Sequence, residues 1–118
     1  MTKNISVKWF KYIPKFDSIH ILDKKTFYES EKIIKELNKI DRDVKYRLPT
    51  LDELKWMSFN KEKLGLGNYD CYCWYSDYVI FSDSSSVNGI FRFSDGGDSD
   101  DNKNYYNTLI VVSENLED

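Results

Sequence analysis

The spacing of apolar residues changes once along this chain, and that change limits the folds it can adopt. Between Phe27 and Ile40 apolar residues recur at intervals of three and four, which predicts an amphipathic helix. Beyond Tyr69 this period disappears, and short aromatic or β-branched runs alternate with clusters of Asp, Ser, Gly and Asn. Helices followed by a run of strands predict an α+β domain, with two helices packed on a twisted antiparallel sheet.

The remaining elements follow from local signals, and 118 residues are enough for a single domain. We expect an N-terminal hairpin in residues 1–22, two helices in 26–60, a sheet in 69–113 and a frayed tail in 114–118. The hairpin pairs an alternating stretch, Ile5–Ile13, with Ile19–Leu22. The strands predicted for the sheet are Cys71–Ser76, Tyr78–Ser82, Ile90–Phe93 and Tyr106–Val112.

Three connections are also predicted. Residues 41–44 are polar and predict a connection between the first helix and the start of the second. Asn88-Gly89 is a strong hairpin-turn signal at the end of a serine-rich stretch. Residues 94–104 form the longest polar tract and predict an extended loop.

Both helix starts carry a capping box, in which Thr is followed three residues later by Glu. The first is Thr26 with Glu29, and the second is Thr50 with Glu53, which places the second helix between residue 51 and about Phe59. Arg47 precedes the second box, and we expect it to pair with a carboxylate. Arg47, Thr50 and Glu53 are therefore predicted to have structural roles.

Charge is distributed unevenly. Residues 1–68 hold 15 of the 17 Lys and Arg residues, whereas residues 69–118 hold 10 of the 20 Asp and Glu residues and only Arg92 and Lys103 as cations. An acidic segment repels phosphates, which argues against nucleic-acid binding there, and it attracts cationic partners. The alternative is that these acids lie on solvated loops.

Two short motifs carry a resemblance to a known fold. Arg47-Leu48-Pro49-Thr50 with Glu53-Leu54, followed by Cys73-Trp74-Tyr75-Ser76, resembles a bacterial branch of the C-type lectin-like fold. That branch includes formylglycine-generating-enzyme-like domains and Lcl-type C-terminal domains. The resemblance implies an N-terminal strand, two helices and a twisted antiparallel sheet whose long loops carry the ligand site. The chain departs from the Lcl pattern because Leu109–Val112 lacks the arginine and cysteine of that closing strand.

No motif for enzymatic chemistry is present, and we predict a non-catalytic protein without a metal cofactor. His20 is the only histidine, and no nucleophile-elbow, P-loop or zinc-protease sequence accompanies it. Cys71 and Cys73 share one face of a strand, where a Cys-x-Cys disulfide would be strained. We interpret them as free core thiols, with Cu(I) binding as the alternative.

The acidic tract from Asp95 to Asn102 also has a calcium-binding alternative, because calcium takes several carboxylate and amide oxygens from flexible loops. Its spacing does not match an EF-hand loop. An extended solvated loop is the favoured interpretation.

Aromatic residues are concentrated in the acidic segment, where half of them would face outward from a sheet. Tyrosine beside carboxylates suits protein or sugar recognition, and the alternative is that neighbouring loops cover both faces of the sheet. We predict a binding module that recognises a basic protein partner, without direct nucleic-acid or membrane binding. The residues predicted to contact the partner are Tyr75, Asp77, Tyr78, Asp83, Arg92, Asp95, Asp98, Asp100, Asp101 and Tyr105.

Two other functions compete with this prediction. The first is a phage or mobile-element inhibitor of a host defence complex of the CRISPR type, suggested by small size, the acidic segment and AT-rich codon usage. The codon inference comes from the absence of Ala and Gln and the excess of Lys over Arg. The second is a carbohydrate-binding domain. Because no apolar leader segment is visible near Met1, the expected location is cytoplasmic.

Overall fold

The structure is a computed structural model, and it describes residues 3–7, 15–79 and 85–116. Within these ranges it contains two helices and seven strands in one sheet. The helices are α1 (Phe27–Ile40) and α2 (Leu51–Phe59). The strands are β1 (Lys3–Ser6), β2 (Ser18–Lys25), β3 (Val44–Arg47), β4 (Tyr72–Trp74), β5 (Val87–Arg92), β6 (Asp98–Asn102) and β7 (Asn107–Asn115).

The sheet is built around β7, and its order is β1-β2-β7-β4-β5-β6, with β3 also paired to β7. Strand β7 is long enough to pair with β2 on one side and with both β3 and β4 on the other. All pairs are antiparallel except the short β4–β7 contact, where Cys73 lies opposite Thr108. The predicted α+β class and antiparallel character are confirmed, and the sheet is larger than the sequence predicted.

The two helices cover opposite faces of this sheet. Along β7, Ile110 and Val112 belong to a core cluster that contains Leu54 and Met57 of α2. The alternate residues Leu109 and Val111 belong to a second cluster, against which α1 packs. The continuous apolar run of β7 is therefore buried on both sides, as a central strand requires. None of the helices in the described ranges is long and apolar enough to cross a bilayer.

Both helices begin as predicted, because a capping box is a local signal. In α1 the Glu29 amide donates to Thr26 Oγ1 and the Thr26 amide donates to Glu29 Oε1. In α2 the same pair of bonds joins Thr50 and Glu53. An antiparallel N-terminal pair is also found, but it joins Lys3–Ser6 to residues 18–21 and overlaps the predicted first strand, Ile5–Ile13, only at Ile5 and Ser6.

Other predictions of secondary structure are wrong. Residues 41–43 form the predicted connection, but strand β3, which begins at Val44, was not predicted because its order comes from pairing with β7. Asn88-Gly89 is not a turn but lies inside β5. Five of the eleven residues in the expected 94–104 loop form β6, which pairs with β5 although it consists only of Asp, Ser and Asn.

Two further boundaries differ from the prediction. Glu114 and Asn115 of the expected tail extend β7, and the Leu116 amide donates to the Asp43 carbonyl at 2.9 Å. Tyr78 and Val79 lie outside any strand, and the rest of the predicted strand to Ser82 lies outside the described residues, as do residues 8–13 of the first predicted strand.

Candidate functional site

The motif around Arg47 is a structural joint between β3 and α2. Arg47 at the end of β3 makes a two-pronged ion pair with Glu53, with Nη1–Oε1 2.7 Å and Nη2–Oε2 2.8 Å. The same Glu53 carboxylate closes the capping box with the Thr50 amide at 2.9 Å. The predicted pairing of Arg47 with a carboxylate and the predicted capping box of Thr50 and Glu53 are therefore both present.

The electrostatics of this joint agree with that role. Burial by itself raises the pKa of Glu53, but hydrogen bonds from Arg47 and Thr50 outweigh it and leave that pKa below its usual value. The hydrogen bond to Glu53 correspondingly raises the pKa of Arg47. Both groups therefore stay ionised and bound to each other at neutral pH.

A second group of residues gathers carboxylates around two tyrosines, and we call it the acid–tyrosine cluster. Its members are Asp77, Tyr78, Asp98 and Asp100, arranged around the ring of Tyr75. Tyr78 donates a hydrogen bond to Asp100 Oδ2 at 2.7 Å, and the Tyr75 and Tyr78 rings meet edge to face. Asp77 accepts the Leu51 amide at the start of α2. The cluster thus joins the start of α2, the segment after β4 and strand β6.

Tyr75 lies beneath this cluster and not on its surface. Its side chain is only 3% exposed, which contradicts its predicted role in touching a partner. The ring lies over Gly89 of β5, where an added Cβ would come 2.3 Å from Tyr75 Cζ. Asn88 fixes the same segment by donating to the Tyr75 carbonyl at 2.8 Å. Asn88-Gly89 therefore supplies space and a hydrogen bond for Tyr75, which is why it does not form a turn.

The surroundings of the cluster raise the pKa of both phenols. Burial, followed by the nearby charges of Asp98 and Asp77, raises the pKa of Tyr75 to about 12. The hydrogen bond to Asp100 raises the pKa of Tyr78. Both phenols remain neutral donors at physiological pH, and the negative charge of the surface comes from the carboxylates.

The register of β6 separates its acidic residues onto two faces. Asp98 and Asp100 lie opposite Phe91 and Gly89 and share the face of Tyr75. Asp101 points to the other face, where its Oδ2 accepts from the Asn107 side chain at 3.0 Å. Because side chains alternate along a strand, Asp101 cannot belong to the same contact surface as its two neighbours.

Arg92 and Asp95 form a separate group at the turn between β5 and β6. Arg92 lies 3.7 Å from both Asp70 and Asp95 and stacks over the Tyr72 ring at 5.7 Å. Tyr72, Arg92 and Asp95 border a small cavity of about 180 Å³. The charge of Arg92 is paired with carboxylates of the same chain. Arg92 and Asp95 therefore do not add to the negative charge of the acid–tyrosine cluster.

The last two residues of the predicted set are found elsewhere. Tyr105 lies in the turn after β6 and is 62% exposed, as is Tyr106. No described contact joins Tyr105 to the acid–tyrosine cluster. Asp83 lies outside the described residues.

His20 takes part in an arrangement that the sequence did not reveal. Its Nδ1 lies 2.6 Å from Asn4 Oδ1 and its Nε2 lies 2.8 Å from Ser113 Oγ. An oriented histidine beside a hydroxyl is also how a serine nucleophile is activated. Here Ser113 is 5% exposed inside β7, and it borders none of the five cavities described for this structure. We interpret the network as a tie between β1, β2 and β7.

The cysteines have different environments. Cys73 is buried in the core, and burial raises the pKa of its thiol. Hydrogen bonding with Cys73, and further bonds with Tyr69 and Thr108, lower the pKa of the partly exposed Cys71. Both are free thiols, in agreement with the sequence interpretation.

The calcium alternative depended on a flexible loop at 95–102, and five of these eight residues, Asp98–Asn102, form a paired strand instead. Among the residues that the structure describes, no three His, Cys, Asp or Glu side chains come together as a metal-ligand group.

Comparison with known proteins adds no assignment. The chain matches no protein-family model and has no significant sequence match among curated proteins.

Proposed function

We propose that this protein is a non-catalytic binding module that recognises a basic protein partner through the acid–tyrosine cluster. The observation that carries this proposal is the convergence of three carboxylates, Asp77, Asp98 and Asp100, from two separate segments onto one face. None of the ion pairs between described residues involves any of the three. A lysine or arginine from a partner would supply the countercharge that this part of the chain does not.

The chemistry of the cluster suits such a partner. Grouped charges of one sign steer an oppositely charged protein toward the surface and raise its association rate. The Tyr78 ring offers apolar area and a face for a cation, while its hydroxyl holds Asp100 in place. Tyr75 contributes indirectly, because its buried ring supports Tyr78 from below.

We also propose that the scaffold is C-type lectin-like. The two motifs that carry this resemblance lie side by side, since the Ser76 amide after β4 donates to the Pro49 carbonyl before α2 at 3.0 Å. Asp77 adds a second link between the same two segments. This adjacency supports the proposal, and it also places part of the acid–tyrosine cluster on that joint.

Charge-neutralised variants test the function. The triple variant Asp77→Asn, Asp98→Asn, Asp100→Asn removes three charges while keeping side-chain shape and the oxygen that accepts the Leu51 amide. Its matched control is Glu31→Gln, Glu36→Gln, Asp52→Asn, which removes three exposed charges on the helices. Immobilised wild type and both variants would be incubated with lysate, and retained proteins compared by quantitative mass spectrometry.

We expect a basic protein to be retained by wild type and by the control, and to be lost from the cluster variant. Equal retention of the basic protein by all three forms would contradict the proposal. So would a result in which wild type retains no more protein than an unrelated acidic protein immobilised in the same way. Circular dichroism of each variant confirms that the fold is unchanged.

A second candidate is an inhibitor that occupies a basic nucleic-acid channel of a host defence complex. The observation that favours it is the preponderance of acids in residues 69–118, where 10 acidic residues accompany Arg92 and Lys103. Such an inhibitor competes with RNA or DNA for a CRISPR effector. Competition that disappears in the cluster variant would support this candidate over a partner unrelated to nucleic acids.

A further inference from the structure

Strand β6 ends the sheet, and its outer edge has no neighbouring strand among the described residues. At one end of the β5–β6 pair the Arg92 amide donates to the Gly97 carbonyl at 2.8 Å. At the other end the Lys103 amide donates to the Ser86 carbonyl at 2.7 Å. In an antiparallel pair the bonded positions alternate, so Ser99 and Asp101 direct their backbone groups toward β5.

The backbone N–H and C=O groups of Asp98 and Asp100 therefore point outward from the sheet. The next outward residue, Asn102, is already satisfied, because its amide donates to Asp101 Oδ1 and its carbonyl accepts from the Tyr105 amide. With respect to residues 3–7, 15–79 and 85–116, the open part of the edge is thus two residues of the ladder, with two donors and two acceptors. An extended peptide placed antiparallel to β6 satisfies all four.

On β3, a side chain of the protein satisfies the backbone groups of an edge position. On β3, the Asn38 side chain of α1 donates to the Tyr46 carbonyl at 2.9 Å and accepts the Tyr46 amide at 2.8 Å. That edge offers nothing to a further strand at Tyr46. No described side chain makes such hydrogen bonds to the backbone of Asp98 or Asp100.

The side chains of this edge select the occupant. A residue directly opposite Asp98 or Asp100 in an antiparallel strand places its side chain on the same face as that carboxylate. Two cations at alternate positions of the incoming strand would meet both carboxylates of the acid–tyrosine cluster. A second copy of β6 would set carboxylate against carboxylate, and like charges directly opposite destabilise a pair.

We propose that β6 accepts an extended segment of the basic partner as an added antiparallel strand, with Lys or Arg at two alternate positions opposite Asp98 and Asp100. This inference rests on the proposed function and adds to it the mode of binding and the spacing of the cations.

Backbone methylation of a peptide tests the added strand directly. The probe is acetyl-Thr-Arg-Val-Arg-Val-Thr-amide, whose two arginines can lie opposite Asp98 and Asp100. In the first modified peptide both arginine amides are N-methylated, which removes the donors that would face β6. In the control peptide the valine between them is N-methylated, and its amide would face solvent. The charges are the same in all three peptides.

We expect the arginine-methylated peptide to bind at least tenfold more weakly than the probe, and the valine-methylated control to bind within about threefold of it. By NMR, the amide protons of Asp98 and Asp100 should exchange more slowly when the probe is bound, while those of Ser99 and Asp101 change little. Equal losses for the two methylated peptides, unchanged exchange at Asp98 and Asp100, or no binding of the probe would each overturn the inference.

A pair of protein variants separates this inference from the proposed function. Asp100→Asn removes the charge alone, and Asp100→Pro removes the charge and the outward amide, a change that an edge position tolerates. We expect Asp100→Pro to bind the probe several-fold more weakly than Asp100→Asn. If the two bind equally but more weakly than wild type, the edge inference fails and the acidic surface stands. If both bind as tightly as wild type, the inference fails and the charge-based proposal loses its support at this residue.

Discussion

At the scale of single residues, Glu53 shows how one carboxylate stabilises two elements. It closes the capping box of α2 and binds both terminal nitrogens of Arg47. Glu29 closes the equivalent box of α1, and none of the ion pairs between described residues includes it. Comparing Glu53 with Glu29 therefore separates the contribution of the ion pair to stability from that of the capping box.

We predict that Glu53→Gln lowers the free energy of unfolding by about 1.5–3 kcal/mol, because Gln keeps the cap but leaves the partly buried Arg47 with only the more distant Glu114, 4.0 Å from its Nε, as a counterion. The matched change Glu29→Gln should cost no more than about 0.5 kcal/mol, since both of its partners at the cap remain. Urea denaturation of both variants measures the difference. Equal losses would show that Arg47 contributes nothing to stability.

Gly89 is fixed by the ring of Tyr75. We predict that Gly89→Ala destabilises the protein by about 1–3 kcal/mol, because the new methyl group would overlap that ring. Gly97→Ala is the control, since its Cβ would meet only the Asp95 side chain at 3.1 Å. Thermal unfolding of the two variants and of Gly89→Ala combined with Tyr75→Leu is the measurement. If Tyr75→Leu does not recover part of the stability lost in Gly89→Ala, this explanation is contradicted.

His20 gives stability a dependence on pH. Burial lowers the pKa of His20 in the folded protein below the value of 6.5 expected when unfolded. The unfolded chain then binds the proton first, so stability should fall as pH decreases below about 6.5 and level off beneath the folded pKa. Urea denaturation at several pH values between 7.5 and 5 measures this fall, which His20→Gln should reduce. A variant with the wild-type pH dependence would show that other groups cause it.

At the scale of elements, β3 depends on a side chain from α1. Asn38 makes both hydrogen bonds to the Tyr46 backbone that a neighbouring strand would otherwise make. We predict that Asn38→Ala lowers the free energy of unfolding by about 1–2 kcal/mol, from two lost bonds that are partly replaced by water. Exposed Glu36 on the same helix is the control, and Glu36→Ala should change stability by less than about 0.5 kcal/mol. Equal changes in the free energy of unfolding for the two variants would show that the hydrogen bonds of Asn38 do not stabilise β3.

The sequence predicted the elements whose signals are local. Both helices begin and end where their capping boxes and apolar spacing place them, because those signals act within one or two turns. Strands β3 and β6 were missed, since their polar sequences become strands only by pairing with β7 and β5. Asn88-Gly89 was misread for a similar reason: the approach of Tyr75, distant in sequence, decides the conformation there.

The candidate site was predicted in part for the same reason. Composition placed acids and tyrosines in one segment, but only the register of β6 assigns Asp98 and Asp100 to one face and Asp101 to the other. Burial of Tyr75 depends on Gly89 across the sheet, and the network of His20 joins residues from three strands. Single-sequence patterns do not encode such cross-strand neighbours.

At the scale of the whole molecule, charge is divided between the two parts of the sequence. The helices and β3 come from the segment with most of the lysines, whereas β4 to β7 come from the segment in which 10 acids outnumber two cations. A partner that follows this field would approach with its basic surface toward β6. The rate of that approach depends on charges over a distance of about 10 Å at 0.1 M salt.

We therefore predict that raising the salt concentration from 0.05 to 0.5 M slows association with the basic partner about tenfold or more and changes its dissociation rate much less. Short contacts made after docking are screened less than the long-range attraction that brings the partner in. Surface plasmon resonance at four salt concentrations measures both rates. The variant Asp77→Asn, Asp98→Asn, Asp100→Asn should show a flatter salt dependence of association than the control with neutralised helix charges. If both variants retain the wild-type slope, the steering field lies outside the acid–tyrosine cluster.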